Sequence, residues 1–101
     1  MDMQYALREG VLTVRLFGEL GHHEAIQGMA RLAGLVEDLL PGGFLLELSG
    51  LDFMDSSGIA VALRGWQRMR ELGGAVTLYH VAQQPRKVFE ASGVGRMVTI
   101  V

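Results

Sequence analysis

The segment Phe44-Leu45-Leu46-Glu47-Leu48 restricts the fold more than any other part of the chain. It is a short, nearly continuous apolar run lying between two stretches whose apolar residues recur at helical spacing. Such a run reads as a strand buried on both faces, as in parallel sheets flanked by helices. Before it, Ala25, Met29, Leu32, Ala33, Val36 and Leu40 mark a helix that runs to about Leu39 and is stopped by Pro41-Gly42-Gly43. After it, Ile59, Ala62, Leu63, Trp66 and Met69 form a second stripe. Arg64, Gln67, Arg68 and Glu71 fall largely on the other side, and Gly73-Gly74 ends the helix. In this reading Trp66 is a core residue, with partner anchoring as the alternative.

The flanks extend the alternation. Gln4 to Arg8 reads as a short strand, Glu9-Gly10 as a turn and Val11 to Phe17 as a second strand, so the two form a hairpin. Gly18-Glu19-Leu20-Gly21 breaks the strand pattern. Ala75 to Val81 is a further strand. Pro85 suits the first turn of a third helix, with Val88 and Phe89 inward and Gly93 as its stop, and Met97 to Val101 is a last strand. The order is β-β-α-β-α-β-α-β. It implies one α/β domain over residues 1–101, with a mostly parallel sheet and right-handed crossovers.

Several function classes drop out. The 101 residues carry a formal charge of −2, not the basic stripe of a nucleic-acid binder. There is no cysteine, which removes disulfides, thiolate metal sites and a cysteine nucleophile and fits a cytoplasmic protein. No apolar run approaches the roughly 18 to 20 residues of a membrane span, and Met1 to Tyr5 lacks the regions of a signal peptide. No membrane insertion is expected.

Chemistry concentrates at Phe53-Met54-Asp55-Ser56-Ser57-Gly58, which sits just where the second helix begins. Helix starts expose N–H groups and favour negative charge. A serine there is a cap, a nucleophile or a phosphate acceptor. The nucleophile reading needs a base. The only histidines are His22, His23 and His80, without triad spacing, and the junction is not a G-x-S-x-G elbow. Phosphorylation adds about −1.5 to −2 charge at a place where the fold tolerates an anion, so it alters what docks and leaves the domain folded. Adjacent His22 and His23 point to different faces, and no acidic cluster supports a metal site there. No cofactor is implied. Arg64, Arg68 and Arg70 read as a solvated helix face, with an acidic partner as the alternative.

Asp55-Ser56-Ser57-Gly58, following Leu51-Asp52-Phe53-Met54, resembles the signature of the STAS domain, and within it that of bacterial anti-sigma factor antagonists. Leu16-Phe17-Gly18-Glu19-Leu20 followed by His22-His23 is similar to the family's G-E-L-D segment. Leu72-Gly73-Gly74 and Val88-Phe89-Glu90-Ala91-Ser92-Gly93-Val94 resemble two further family segments. The resemblance implies a STAS-type mixed sheet of about five strands with helices packed against it. It implies a binding protein and not an enzyme. The unphosphorylated form would bind an anti-sigma factor that is also a serine kinase and so release a sigma factor. Phosphorylation of Ser56 would switch it off, and a PP2C-type phosphatase would reset it. Asp55 would contribute to phosphoacceptor geometry. Partner contacts would come from Glu19, Gly21, His22, His23, Asp55, Ser57, Gly58 and Ile59. A STAS subunit of a lipid-transport or signalling complex, without serine phosphorylation, is the alternative within the family. The chain departs from the pattern in two places. Gly21 stands where the family often has Asp, and the chain ends at Val101 where the family often has a further helix.

Overall fold

The strand signals fold into a sheet that is buried on one face. In a computed structural model describing all 101 residues, the chain runs β1 (Asp2–Arg8), β2 (Val11–Leu20), α1 (His22–Leu39), β3 (Gly43–Glu47) and β4 (Leu51–Met54). A 3₁₀ turn (Ser56–Gly58) leads into α2 (Ile59–Glu71), followed by β5 (Val76–Tyr79), α3 (Gln83–Ser92), a second 3₁₀ turn (Val94–Arg96) and β6 (Thr99–Ile100). Leu12, Val14 and Leu16 of β2 are buried, as are Phe44 and Leu46 of β3, Leu48 just after it, and Val76 and Leu78 of β5. The residues between them are not, which is the period-2 pattern of a sheet covered on one side. Leu32 and Val36 of α1, Val61, Ala62 and Met69 of α2 and Phe89 of α3 join the same buried cluster. The expectation that Phe44–Leu48 is buried on both faces is therefore corrected. Leu45 and Glu47 are half-buried on the face opposite the helices.

The sheet order is β1-β2-β3-β5-β6, with β1 antiparallel to β2 and the remaining pairs parallel. The expected mixed, mostly parallel α/β architecture is thus present, with one strand more than the pattern shows. That strand, β4, pairs with the far end of β2. The hairpin closes through Glu9 and Gly10, both at positive φ (51° and 80°), as a two-residue turn matched to strand twist requires. Gly18-Glu19-Leu20 does not end β2. Gly18, at φ +92°, carries a register shift instead, and beyond it β2 exchanges β3 for β4 as its neighbour. α1 stops at Leu40, whose left-handed φ of 47° precedes Pro41, a residue that disfavours the helical conformation of the one before it. The final strand is shorter than Met97–Val101, because the N–H groups of Met97 and Val98 donate back to the Val94 carbonyl of the second 3₁₀ turn. Trp66 is only half-buried. One side packs on the core, and the Arg70 guanidinium lies 5.3 Å from its ring centroid. No helix is long and apolar enough to cross a membrane.

On the open face, Glu47 ties three strands together. Its carboxylate accepts from Ser49 N–H at 3.0 Å and lies 3.8 Å from Arg15 Nε and 3.7 Å from His80 Nδ1. Burial pushes this carboxyl up, but the hydrogen bonds from Ser49 and the charges of Arg15 and His80 outweigh it and hold it below the ordinary value of 4.5. A depressed carboxyl stabilises the fold above its unfolded value, and that contribution is lost as pH falls through the folded one. Glu47→Gln is therefore expected to lower stability by on the order of 1 kcal/mol at pH 7. The gap to wild type should close as pH drops below about 4.5, read from urea midpoints at successive pH values.

Candidate functional site

The parallel register of β2 and β4 builds the site. Glu19 pairs with Phe53 and Leu20 with Met54, and Asp55 N–H continues the ladder by donating to the Leu20 carbonyl at 3.3 Å. Both strands then turn into helices at the same level. The start of α1 and the start of the Ser56–Gly58 turn consequently lie side by side at the carboxyl ends of their strands.

Asp55 caps the turn. Its extended backbone (φ −92°, ψ −178°) lets Oδ1 accept from Ser57 N–H at 2.8 Å, while its carbonyl accepts from Gly58 N–H at 3.1 Å. The carboxylate thus does what either serine might have done. Ser56 is exposed, and its hydroxyl makes no hydrogen bond within the chain. Ser57 is half-buried, with Oγ 3.3 Å from His22 Nδ1 at the first position of α1. That is the only serine–histidine contact at the site. No carboxylate engages the other nitrogen of His22, so the orienting group of a nucleophilic triad is missing. No group of three His, Asp or Glu side chains converges anywhere in the molecule in a way that could hold a metal.

Two buttresses fix the turn from below and behind. Gly58 is buried. A Cβ placed there would run into Met54 Cγ and Sδ and lie 3.1 Å from Leu20 Cδ2, so the turn can sit this close to the strand ends only without a side chain. Behind the turn, the Gln84 amide of α3 clamps the last residue of β4. Oε1 accepts from Met54 N–H at 2.8 Å, and Nε2 donates to the Met54 carbonyl at 2.9 Å. Gln84 thereby occupies the free edge of β4 as a neighbouring strand would. At α1, the Glu24 carboxylate accepts from Gly21 N–H at 2.9 Å, the half of a capping box available to a glycine N-cap.

The sequence-predicted residues divide accordingly. Glu19, His22, His23 and Ser56 are exposed around the paired helix starts; Gly21, Asp55, Ser57 and Ile59 are half-buried there. Gly58 belongs to the site by position and is buried beneath it as a packing residue. Gly21 has an extended backbone open to any residue (φ −95°, ψ −172°). A Cβ there would lie 3.0 Å from Glu24 Oε1 and 3.7 Å from Asp55 Oδ2. An aspartate at this position would bring a third carboxylate between two existing ones, and glycine avoids that repulsion. Sequence reasoning missed Glu24, although its spacing of three from Gly21 is a capping signal. It also missed Gln84, which lies 30 residues from Met54 in the chain and carries no local signal.

Gly58→Ala is expected to cost about 1–3 kcal/mol by overpacking against the enclosed Met54, read as a lowered urea midpoint. Gln84→Ala leaves both Met54 backbone groups without that partner and should cost about 1–2 kcal/mol. Amide exchange should show the Met54 N–H losing more protection than the rest of β4.

Comparison with known proteins agrees with this geometry. The STAS domain family profile matches residues 2–101. A Lysinibacillus sphaericus protein described as an anti-sigma F factor antagonist is 34% identical over 94 residues, covering 93% of this chain and 80% of the relative. The structure of the anti-sigma factor antagonist SpoIIAA in its unphosphorylated form superposes with a TM-score of 0.84 at 28% identity, covering 99% of this chain and 88% of that one. SpoIIAA of Bacillus in its phosphorylated form gives 0.75 at 28% identity, covering 99% and 91%. A continuous family match, a relative sharing a third of its residues and the same strand-to-turn architecture show that this chain belongs to the STAS domain family, alongside its anti-sigma factor antagonists.

Proposed function

We propose that this chain is an anti-sigma factor antagonist controlled by phosphorylation of Ser56. The observation that carries the reading is the state of Ser56. Its hydroxyl is exposed and unbonded, and it stands on a turn held by Asp55, Gly58 and Gln84 in a family whose SpoIIAA occurs in phosphorylated and unphosphorylated forms. An anti-sigma factor acting as a serine kinase would supply ATP and the base. The Ser56 oxygen bonds to the γ-phosphorus, its proton passes to a group of the kinase, and ADP leaves. No side chain of this chain bonds the Ser56 hydroxyl, which supports a base supplied by the partner.

The added dianion has a physical effect on docking that does not depend on unfolding. At a helix start the negative charge is compatible with the backbone N–H groups and the dipole. A partner surface fitted to the neutral serine beside Asp55 would instead face concentrated negative charge and be released. The exposed Glu19, His22 and His23, with Asp55, Ser57 and Ile59, would frame the contact, and a PP2C-type phosphatase would restore the binding form. The gain of one phosphate, measured as intact mass after incubation with ATP and the anti-sigma partner captured from the source cell, is expected for wild type and for Ser57→Ala. It is expected to vanish in Ser56→Ala, which should stay in the binding form, whereas Ser56→Asp should bind roughly tenfold more weakly or worse. Phosphate retained in Ser56→Ala would overturn the assignment.

A further inference from the structure

β1 is an outermost strand of the sheet. It pairs with β2 on one side and with no strand on the other. Such an edge offers unpaired N–H and C=O groups to any extended chain, and proteins commonly blunt it with proline, lysine, a bulge or a covering element. β1 carries charge only at its two ends, Asp2 and Arg8, and none of these devices between them. Its sequence, Asp2-Met3-Gln4-Tyr5-Ala6-Leu7-Arg8, has neither proline nor lysine, and its register with β2 runs from Asp2↔Phe17 to Arg8↔Val11 without a shift. Only Met3 is half-buried; the other residues are exposed. Two of these are large and apolar, Tyr5 at 56% and Leu7 at 42% exposure.

The strand is also complementary to itself. When two copies add edge to edge in antiparallel fashion about a twofold axis, opposed side chains lie on the same face, so residue numbers in each pair must sum to an even value. Centred on Tyr5, this register sets Asp2 against Arg8 of the second copy, Met3 against its Leu7, Gln4 against its Ala6 and Tyr5 against its Tyr5. Every residue of β1 is paired, with Met3, Tyr5 and Leu7 on one face and the two ion pairs on the other. Moving to either neighbouring allowed register opposes Asp2 to Ala6 or Arg8 to Gln4 and forfeits both ion pairs. Within their own chain neither Asp2 nor Arg8 has an ion-pair partner. We infer that β1 is a self-association edge, through which a second copy of this chain extends the sheet as a twofold-symmetric dimer. β4 and the Ser56 turn lie on the opposite side of β2 from β1, so the dimer leaves both switches open. This inference does not depend on the function of Ser56.

A contact one strand wide is smaller than the roughly 1,600 Å² of a standard interface, so the dissociation constant should be on the order of 100 μM. Sedimentation equilibrium of the untagged chain from about 10 μM to 1 mM should show a monomer–dimer equilibrium in that range. Asp2→Arg and Arg8→Asp each set like charges opposite one another twice and should each weaken the dimer by roughly tenfold. An equimolar mixture of the two variants restores both opposite-charge pairs in a heterodimer and should recover near wild-type association, as should the double exchange Asp2→Arg/Arg8→Asp in one chain. Both positions are exposed, and an unchanged far-UV spectrum checks that the fold is kept. A wild-type chain that stays monomeric to 1 mM would overturn the proposal and leave the edge to an extended segment of another protein. A dimer indifferent to either single reversal, or reversals that the mixture fails to rescue, would overturn it equally.

Discussion

Parallel pairing of β2 with β3 along Val11–Arg15, and then with β4 along Gly18–Leu20, is the contact on which the functional end of the molecule depends. Gly18 makes the exchange possible. Its positive φ bends the strand, and its N–H donates to the Gly50 carbonyl at 2.9 Å, where the chain returns toward β4. Because β2 and β4 end at the same level, the helices that follow them begin side by side. The segments Gly21-His22-His23 and Asp55-Ser56-Ser57, far apart in sequence, thereby become one surface.

That surface is held rigidly while its central hydroxyl is left free. Asp55 accepts from the Ser57 and Gly58 N–H groups of the turn, the Gln84 amide closes the edge of β4, and Gly58 lets the turn settle onto Met54 and Leu20. The apolar cluster beneath extends from Leu20 and Met54 to Val61 and Phe89, so displacement of the turn would disturb core packing. Under the proposed phosphorylation of Ser56, the charge presented to a partner would change while these supports of the turn stay in place, so the added charge would act on docking and not on the fold.

Much of this was legible in the sequence, for identifiable reasons. The helical stripes of α1 and α2, the Glu9-Gly10 turn and the stop at Pro41 are local signals, and each appears within a residue or two of its expected place. The strand β4 was not legible. Leu51-Asp52-Phe53-Met54 is only four residues long, and its buried ends flank two exposed residues, which is neither strand alternation nor a helical stripe. Its strand character comes from pairing with β2. As a punctuation signal Gly18 marks a strand end in the sequence, whereas the tertiary structure uses the same backbone freedom for a bulge inside one continuous strand. The run Phe44–Leu48 looked doubly buried because Leu45 is apolar; with all helices on the other face, it is half-covered.

The sequence by itself determined the alternation of strands and helices, the α/β class and the position of Ser56 at a helix start, because these rest on periodicity and capping chemistry between near neighbours. The tertiary structure alone decided which side of the sheet is covered and that Asp55, not a serine, is the cap. It alone brought His22 to Ser57 and Gln84 to Met54. Those contacts join residues 30 or more apart, and only strand register and helix packing bring them within hydrogen-bond reach.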